Sequence, residues 1–152
     1  MSDPDAFEIR QAGSSDVHDV LVLSRLWVEE GCTDGYVACT AEHLQPWLDG
    51  GYFFVGELQG EVVAYAAGVV KLGKGYIFKP EGEQYLNVDE VYVHADHRDK
   101  GLGTRLVQAL LDKAEAAGIV RSMVGSNNVD WLATYRFYER HGYRMQSIQM
   151  YR

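Results

Sequence analysis

An α/β protein, with a mixed and mostly antiparallel sheet covered by helices on both faces, is predicted from three observations. Apolar residues recur every three or four positions in two long segments, 15–30 and 102–117. β-Branched and aromatic runs bounded by turn residues occur at 53–58, 61–70 and 85–93. The resulting order, β, α, α, β, β, β, α, β, α, β, mixes hairpin connections with helical crossovers. At 152 residues and 47% apolar content the chain suffices for one good core but not two, so residues 1–152 are expected to form a single domain.

Phe7 to Gln11 reads as a strand. Ser14 or Ser15 then caps a helix reaching Glu30, with Val17, Val20, Leu21, Trp27 and Val28 on one stripe, and Gly31 ends it. Thr40 caps a shorter helix that buries Leu44, Trp47 and Leu48 and stops at Gly50-Gly51. FFVGEL and EVVAYAAGVV, separated by Gln59-Gly60, form a tight hairpin, although Gln-Gly is a weaker turn signal than Asn-Gly. Its glycines and proline make 71–84 a loop. YLNVDEVYV, residues 85–93, is a strand, and the helix after it carries Leu102, Leu106, Leu110, Ala114 and Ala117 before Gly118. IVRSMV at 119–124 is a strand, Trp131 to His141 a helix stopped by Gly142, and YRMQSIQMYR at 143–152 a last strand. No internal repeat, low-complexity tract or linker interrupts this order.

Charge narrows the function. Fourteen Lys and Arg against twenty-two Asp and Glu give a net charge of -8, which disfavours a general nucleic-acid binder because phosphate neutralisation needs a cationic face. A cationic substrate fits better. The acidic opening MSDPDAFEIR lacks a signal peptide's basic flank and apolar run, and VVAYAAGVV falls far short of a membrane span, so a soluble, cytoplasmic protein is expected, with no membrane partner. Cys32 and Cys39 read as two reduced thiols rather than a disulfide or a metal clip, and no metal site is expected.

The chemistry concentrates in HADHRDKGLGTRL, residues 94–106. Where strand 85–93 meets helix 102–117, several consecutive N–H groups lack a helical partner and point outward together. The helix dipole adds partial positive charge, so the turn favours an anion, phosphate being the natural one. Gly101 and Gly103 let such a ligand approach the backbone, and Arg98, Lys100 and Arg105 concentrate positive charge in an acidic chain. A dinucleotide fingerprint would need glycine where Leu106 stands, and no Walker A pattern occurs.

Arg98, Gly101 and Gly103 spell R-x-x-G-x-G after the strand VDEVYV, which resembles the acetyl-coenzyme A signature of the GNAT N-acetyltransferase superfamily. TYRFYERHGYR at 134–144 resembles that superfamily's second motif, and the element order matches its fold over nearly the whole chain. The resemblance implies that the amides of Arg98, Asp99, Lys100, Gly101, Leu102, Gly103 and Thr104 hold the diphosphate of acetyl-CoA. It also implies that the pantetheine arm pairs with Val91, Tyr92 and Val93, in a gap splayed open against strand 119–124.

With an ammonium pKa of about 10, only roughly one amine in a thousand is neutral at pH 7, so a base must take its proton. Related enzymes place a carboxylate where Asp89 and Glu90 lie. On a straight strand the two face opposite ways, so only one reaches the cleft unless a bulge intervenes, and Glu90 is the favoured base. Tyr138 aligns with the tyrosine that serves the departing thiolate in many relatives. Where they carry an asparagine seven residues earlier, this chain has Trp131, with Asn127 and Asn128 further upstream, so Asn128 is the candidate replacement contact to the coenzyme.

The acceptor pocket is expected between segment 29–40, loop 71–84 and the last strand. Glu30 and Asp34 supply charge and Tyr36 and Tyr76 pack over the substrate, which makes a small cationic amine, polyamine- or aminoglycoside-like, the expected acceptor. Alternatives are a protein N-terminus or lysine as acceptor, and a non-catalytic acyl-CoA-binding module. Only ten residues follow Gly142, so either the last strand is single or a second subunit completes the sheet as a homodimer.

Overall fold

The computed structural model describes residues 6–76 and 78–152; residues 1–5 of the acidic opening and residue 77 of the glycine-rich segment lie outside the described residues. β1 (Phe7–Gln11), β2 (Phe53–Leu58), β3 (Glu61–Leu72), β4 (Gln84–Val93) and β5 (Arg121–Val124) form one sheet in the order β1-β2-β3-β4-β5. The first four strands are antiparallel neighbours, and β5 joins β4 in parallel. α1 (Val17–Glu30) and α2 (Ala41–Gly50) cover one face, α3 (Leu102–Ala116) covers the other, and α4 (Trp131–Glu139) follows β5. No described helix is long and apolar enough to cross a membrane.

β3 is buried without a break from Val62 to Gly68 because helices lie on both of its faces. Ala64 and Ala66 meet Leu86 and the α3 ladder of Leu102, Leu106, Leu110 and Ala114. On the other face, Tyr65 and Ala67 meet Val20 and Leu23 of α1 and Leu44 and Trp47 of α2. The β2–β3 hairpin turns on Gln59 and Gly60, both with positive φ (51° and 82°), the left-handed pair a two-residue type I′ turn requires.

Several expectations need correction. A 3-10 turn at Ser14–Asp16 precedes α1, and the residue at the helix N-cap position is Asp16 rather than Ser14 or Ser15, although the Asp16 side chain makes no cap bond to the helix and turns back to Gly13 instead. Asp16 is 4% exposed; its Oδ2 accepts the Gly13 N–H at 2.8 Å, and its two oxygens accept the Arg10 guanidinium, each at 2.8 Å. Val28 turns to solvent, and Leu23 and Ser24 take the buried stripe instead. Residues 71–84 are not one loop: β3 runs to Leu72, β4 begins at Gln84, and the connection is tied by Gly73 N–H to Glu83 O (2.8 Å) and Gly75 N–H to Lys79 O (3.1 Å). β5 is shorter than predicted and begins at Arg121.

The predicted last strand does not form. Residues 143–152 pair with no strand, although Tyr143 Oη lies 2.6 Å from Ser122 Oγ of β5 and the Tyr151 hydroxyl donates to Asp34 Oδ2 at 3.0 Å. Met145, Ile148 and Met150 face solvent. Apolar alternation indicates a strand only where an edge offers its ladder, and here a side chain rather than the backbone meets β5.

The Arg10 hydrogen bonds hold the Asp16 carboxyl below its ordinary range. A lowered folded-state value contributes stability above the unfolded pKa, 3.8, and that contribution is lost as pH falls through the folded value. Asp16→Ala is expected to cost about 1–2 kcal/mol at neutral pH, the loss of the Gly13 hydrogen bond and the Arg10 pair, discounted because part of Arg10 stays in water. Urea melts check it: an equal loss at neutral and strongly acid pH would refute the assignment.

Candidate active site

The site begins with a defect in the β3–β4 ladder. Ala67 pairs with Glu90 and Gly68 with Val88, so Asp89 is one residue too many on β4. This bulge lets two consecutive carboxylates, Asp89 and Glu90, line the same cavity. Gly68 is what allows it, since a Cβ there would collide with the carbonyl oxygen of Asn87.

The cavity, about 550 Å³, lies between the α1–α2 connection, α2 and the bulge, and Asp34, Tyr36, Cys39, His43, Trp47, Val69 and Asn127 share its lining with the two carboxylates. The connection is fastened at three points. Its residues 32–34 bond to 127–129 through Asp34 N–H to Asn127 O (3.0 Å) and Val129 N–H to Cys32 O (2.9 Å). Trp27 Nε1 donates to Thr33 Oγ1 at 2.9 Å. The Trp27 ring stacks on Tyr36, centroids 4.2 Å apart, and on Tyr92 at 5.4 Å.

Glu90 sits on the cavity wall among neutral donors. The Tyr65 hydroxyl donates to its Oε1 at 2.7 Å, the Tyr36 hydroxyl to the same oxygen at 3.0 Å, and the Cys39 thiol lies 3.4 Å from each oxygen. Burial raises the proton affinity of Glu90, while the three donors and the neighbouring Asp89 charge act in opposite senses, the donors lowering it and Asp89 raising it. Burial also lifts the Cys39 thiol to about 11, so it stays protonated as a donor. Asp89 takes Trp47 Nε1–H on Oδ2 at 2.8 Å and Asn87 Nδ2–H on Oδ1 at 2.6 Å.

Next to this cavity the sheet opens. β5 pairs only with Tyr85–Val88, so Asp89–Val93 has no strand on that side among the described residues. Those five residues form a free edge with main-chain groups of the kind a pantetheine amide chain can pair with. The turn beyond has left-handed Asp99 (φ 62°) and Gly101 (φ 78°), and α3 makes its first bond from Arg105 N–H to Gly101 O. The N–H groups of Leu102, Gly103 and Thr104 therefore remain for an anion, which fits the diphosphate of acetyl-CoA.

The cations expected around the turn are mostly committed elsewhere. Arg98 donates from Nε to the Val93 carbonyl (2.9 Å) and from Nη2 to both Glu30 oxygens (2.8 and 2.7 Å). Arg105 donates to the Phe7 carbonyl at 3.0 Å. Glu30, which also accepts the Tyr92 hydroxyl at 3.1 Å, is thus a strut beneath the turn and does not line the cavity. Tyr76 is exposed in the β3–β4 connection, stacked on Phe78, and lies outside the cavity as well.

Tyr138 is on α4, its ring edge-on to Tyr143 at 5.5 Å, and burial pushes its hydroxyl pKa well up. Its neighbour Phe137 packs against Gly103, where an added Cβ would touch the ring at 3.5 Å. The helix is thereby seated over the start of α3. Tyr138 does not line the 550 Å³ cavity. Asn128 faces Thr33 in an isolated bridge, and its Oδ1 accepts the Asp130 N–H at 2.8 Å.

Of the residues expected around the acceptor, Asp34, Tyr36, Asp89 and Glu90 come together and Glu30 and Tyr76 do not. Tyr65, Cys39, His43 and Trp47 were missed. Periodicity assigns Tyr65 and Trp47 to the core, and their polar atoms acquire a role only through partners 25 and 42 residues away.

The chain belongs to the acetyltransferase (GNAT) family, whose sequence pattern matches residues 19–143. It is 30% identical over 125 residues to an L-methionine sulfoximine/L-methionine sulfone acetyltransferase of Pseudomonas paraeruginosa, the match covering 73% of this chain and 65% of the relative. The chain thus spans about two thirds of that curated relative. Among solved structures, an aminoglycoside acetyltransferase from an uncultured soil metagenomic sample has a TM-score of 0.70 at 21% identity, over 96% of this chain and 95% of that one. A Clostridium acetobutylicum predicted acetyltransferase with acetyl-CoA has a TM-score of 0.73 at 12% identity, over 96% and 95%. These likenesses agree with the predicted fold class.

Gly68→Ala tests the bulge. It is expected to cost about 1–3 kcal/mol through the collision with Asn87 and to move both carboxylates, so acetyl transfer should fall further than stability accounts for. Chemical denaturation alongside rate measurements on the folded fraction checks this, and a fully active folded variant would show the bulge to be dispensable.

Proposed function

We propose that this chain is an acetyl-CoA-dependent N-acetyltransferase acting on a small cationic amine, polyamine- or aminoglycoside-like, by direct attack in a ternary complex. The observation that carries the acceptor reading is the charge of the cavity. Asp34, Asp89 and Glu90 line it, and no described lining residue is Lys or Arg. An ammonium entering it meets carboxylates and the faces of Tyr36 and Trp47. An amino-acid acceptor of the kind named for the Pseudomonas relative would bring a carboxylate to a wall already negative.

Acetyl-CoA supplies the activated acetyl thioester, held by the 102–104 amides and the free edge of β4. Glu90 accepts a proton from the ammonium, and its burial moves its proton affinity toward that of the amine. The neutral nitrogen attacks the thioester carbonyl carbon, forming C–N as C–S breaks. A main-chain N–H near Val91 polarises the carbonyl oxygen. The nitrogen's second proton is released to water as the amide forms, while Tyr138, kept protonated by burial, gives its proton to the departing thiolate and is reprotonated through that water, so that one nitrogen proton ends on the thiol. One proton per turnover leaves through Glu90. The position of β5 at the end of the sheet, with no further strand beyond it among the described residues, supports pairing with a second copy of the chain in the same proposal.

Glu90→Gln is expected to lower kcat/KM by about 10²–10⁴-fold and Tyr138→Phe to lower kcat. Wild-type activity should rise with pH through the raised carboxyl value, above the ordinary carboxylate range. A raised folded-state pKa favours the fold below the unfolded value and is lost as pH rises through the folded one, so Glu90→Gln should be no less stable than wild type at mildly alkaline pH. Steady-state rates on polyamines, aminoglycosides and peptides decide the reading. Turnover on peptides alone would reject the small-amine acceptor, and acetyl-CoA binding with rates indifferent to both substitutions would leave a binding module.

A further inference from the structure

We infer that Tyr65 is a positioning residue for proton transfer, fixing Glu90 through Oε1 so that Oε2 is the oxygen presented to the amine. The inference rests on the reading of Glu90 as base and adds the group that aims it. Tyr65 lies mid-way along β3, fully buried, and does not line the cavity, so it acts on the acceptor only through Glu90.

The asymmetry of the two Glu90 oxygens carries the argument. Among the described residues Oε1 accepts two hydroxyls, Tyr65 at 2.7 Å and Tyr36 at 3.0 Å, whereas Oε2 is met only by the Cys39 thiol, a weak donor 3.4 Å from both oxygens. The Tyr65 ring is wedged among Trp47, Phe53 and Tyr92 at centroid distances of 6.5, 6.4 and 6.2 Å, so its hydroxyl has little freedom to leave.

The titratable and charged groups facing Glu90 are Tyr65 from β3, Tyr36 and Cys39 from the α1–α2 connection, Asp89 from its own strand, and Asp34 and His43 across the cavity. No ion pair reaches Glu90 among the described residues. Neutral donors therefore replace the cation that would ordinarily keep a buried carboxylate ionised. Tyr65 gives the shortest of these contacts. Its donation favours the charged form that can act as base, against burial and against Asp89.

Tyr65→Phe removes the hydroxyl and keeps the ring. The test pairs two readouts on the full chain: the NMR titration of Glu90 in ¹³C-glutamate-labelled protein without ligands, assigned by Glu90→Gln, and the pH profile of kcat/KM with spermidine and acetyl-CoA. Loss of one hydrogen bond to a charged group is expected to raise the Glu90 midpoint by about one to two pH units. The acid limb of the rate profile should move by the same amount, kcat should fall more than KM changes, and activity should return at higher pH. An unmoved Glu90 midpoint overturns the role of Tyr65. A midpoint that moves while the rate profile stays put overturns Glu90 as base, and the proton-transfer role of Tyr65 with it. If Phe prevents folding, 3-fluorotyrosine at position 65, a stronger donor, should shift both readouts to lower pH; a shift in the other direction, or none, overturns the inference.

Discussion

The unpaired residue at Asp89 is the constraint on which the rest of the site depends. A regular antiparallel ladder would send Asp89 and Glu90 to opposite faces, one into the α1/α2 layer and the other toward α3. The bulge spends one residue of register and gains a wall with two adjacent carboxylates. It is tolerated because Gly68 has no side chain to strike Asn87 and because Trp47 and Asn87 donate to both Asp89 oxygens. From the same point β4 loses its β5 partner and offers a free edge as far as Val93, so a single element supplies both acceptor charge and coenzyme pairing.

A second feature follows from burying acid without a matching base. Glu90 is surrounded by hydroxyls and a thiol, each donating to the ionised form without neutralising it. A lysine or arginine there would have lowered its proton affinity and competed with a cationic acceptor for the same oxygens. Neutral donors leave the cavity negative while limiting the cost of desolvation. The α1–α2 connection is held to Trp27 and to residues 127–129 for a related reason, since Tyr36 and Cys39 can donate to Glu90 only from a fixed backbone.

Much of the fold was legible in the sequence. The α3 ladder beginning at Leu102 and the apolar run of β3 each repeat one period over many residues, so local pattern and burial agree. The Gln59-Gly60 turn was legible despite its weak signal because the strands on both sides fix its length. Residues 143–152 misled because alternation records only compatibility with a sheet, and here Tyr143 meets β5 through a side chain rather than through a backbone ladder. At the site, Arg98, Gly101 and Gly103 stand out in the strand-to-helix turn, whereas Asp89 and Glu90 were expected only from the family resemblance. Tyr65 and Trp47 could not be read, because their chemistry lies in one polar atom on an otherwise apolar ring and its partner is distant in sequence. Glu30 misled in the reverse direction: an exposed-looking acid at a helix end found Arg98, 68 residues further on.

The commitment of Arg98 to Glu30 and of Arg105 to Phe7 sets how a diphosphate would be gripped at the start of α3. Long mobile cations lose hold of phosphate as electrolyte is added, whereas main-chain donors do so far less. A chain carrying -8 overall also repels an anionic carrier from a distance, and added salt weakens that repulsion. Capture at this turn should therefore resist the ionic strengths that strip nucleotides from arginine-lined sites.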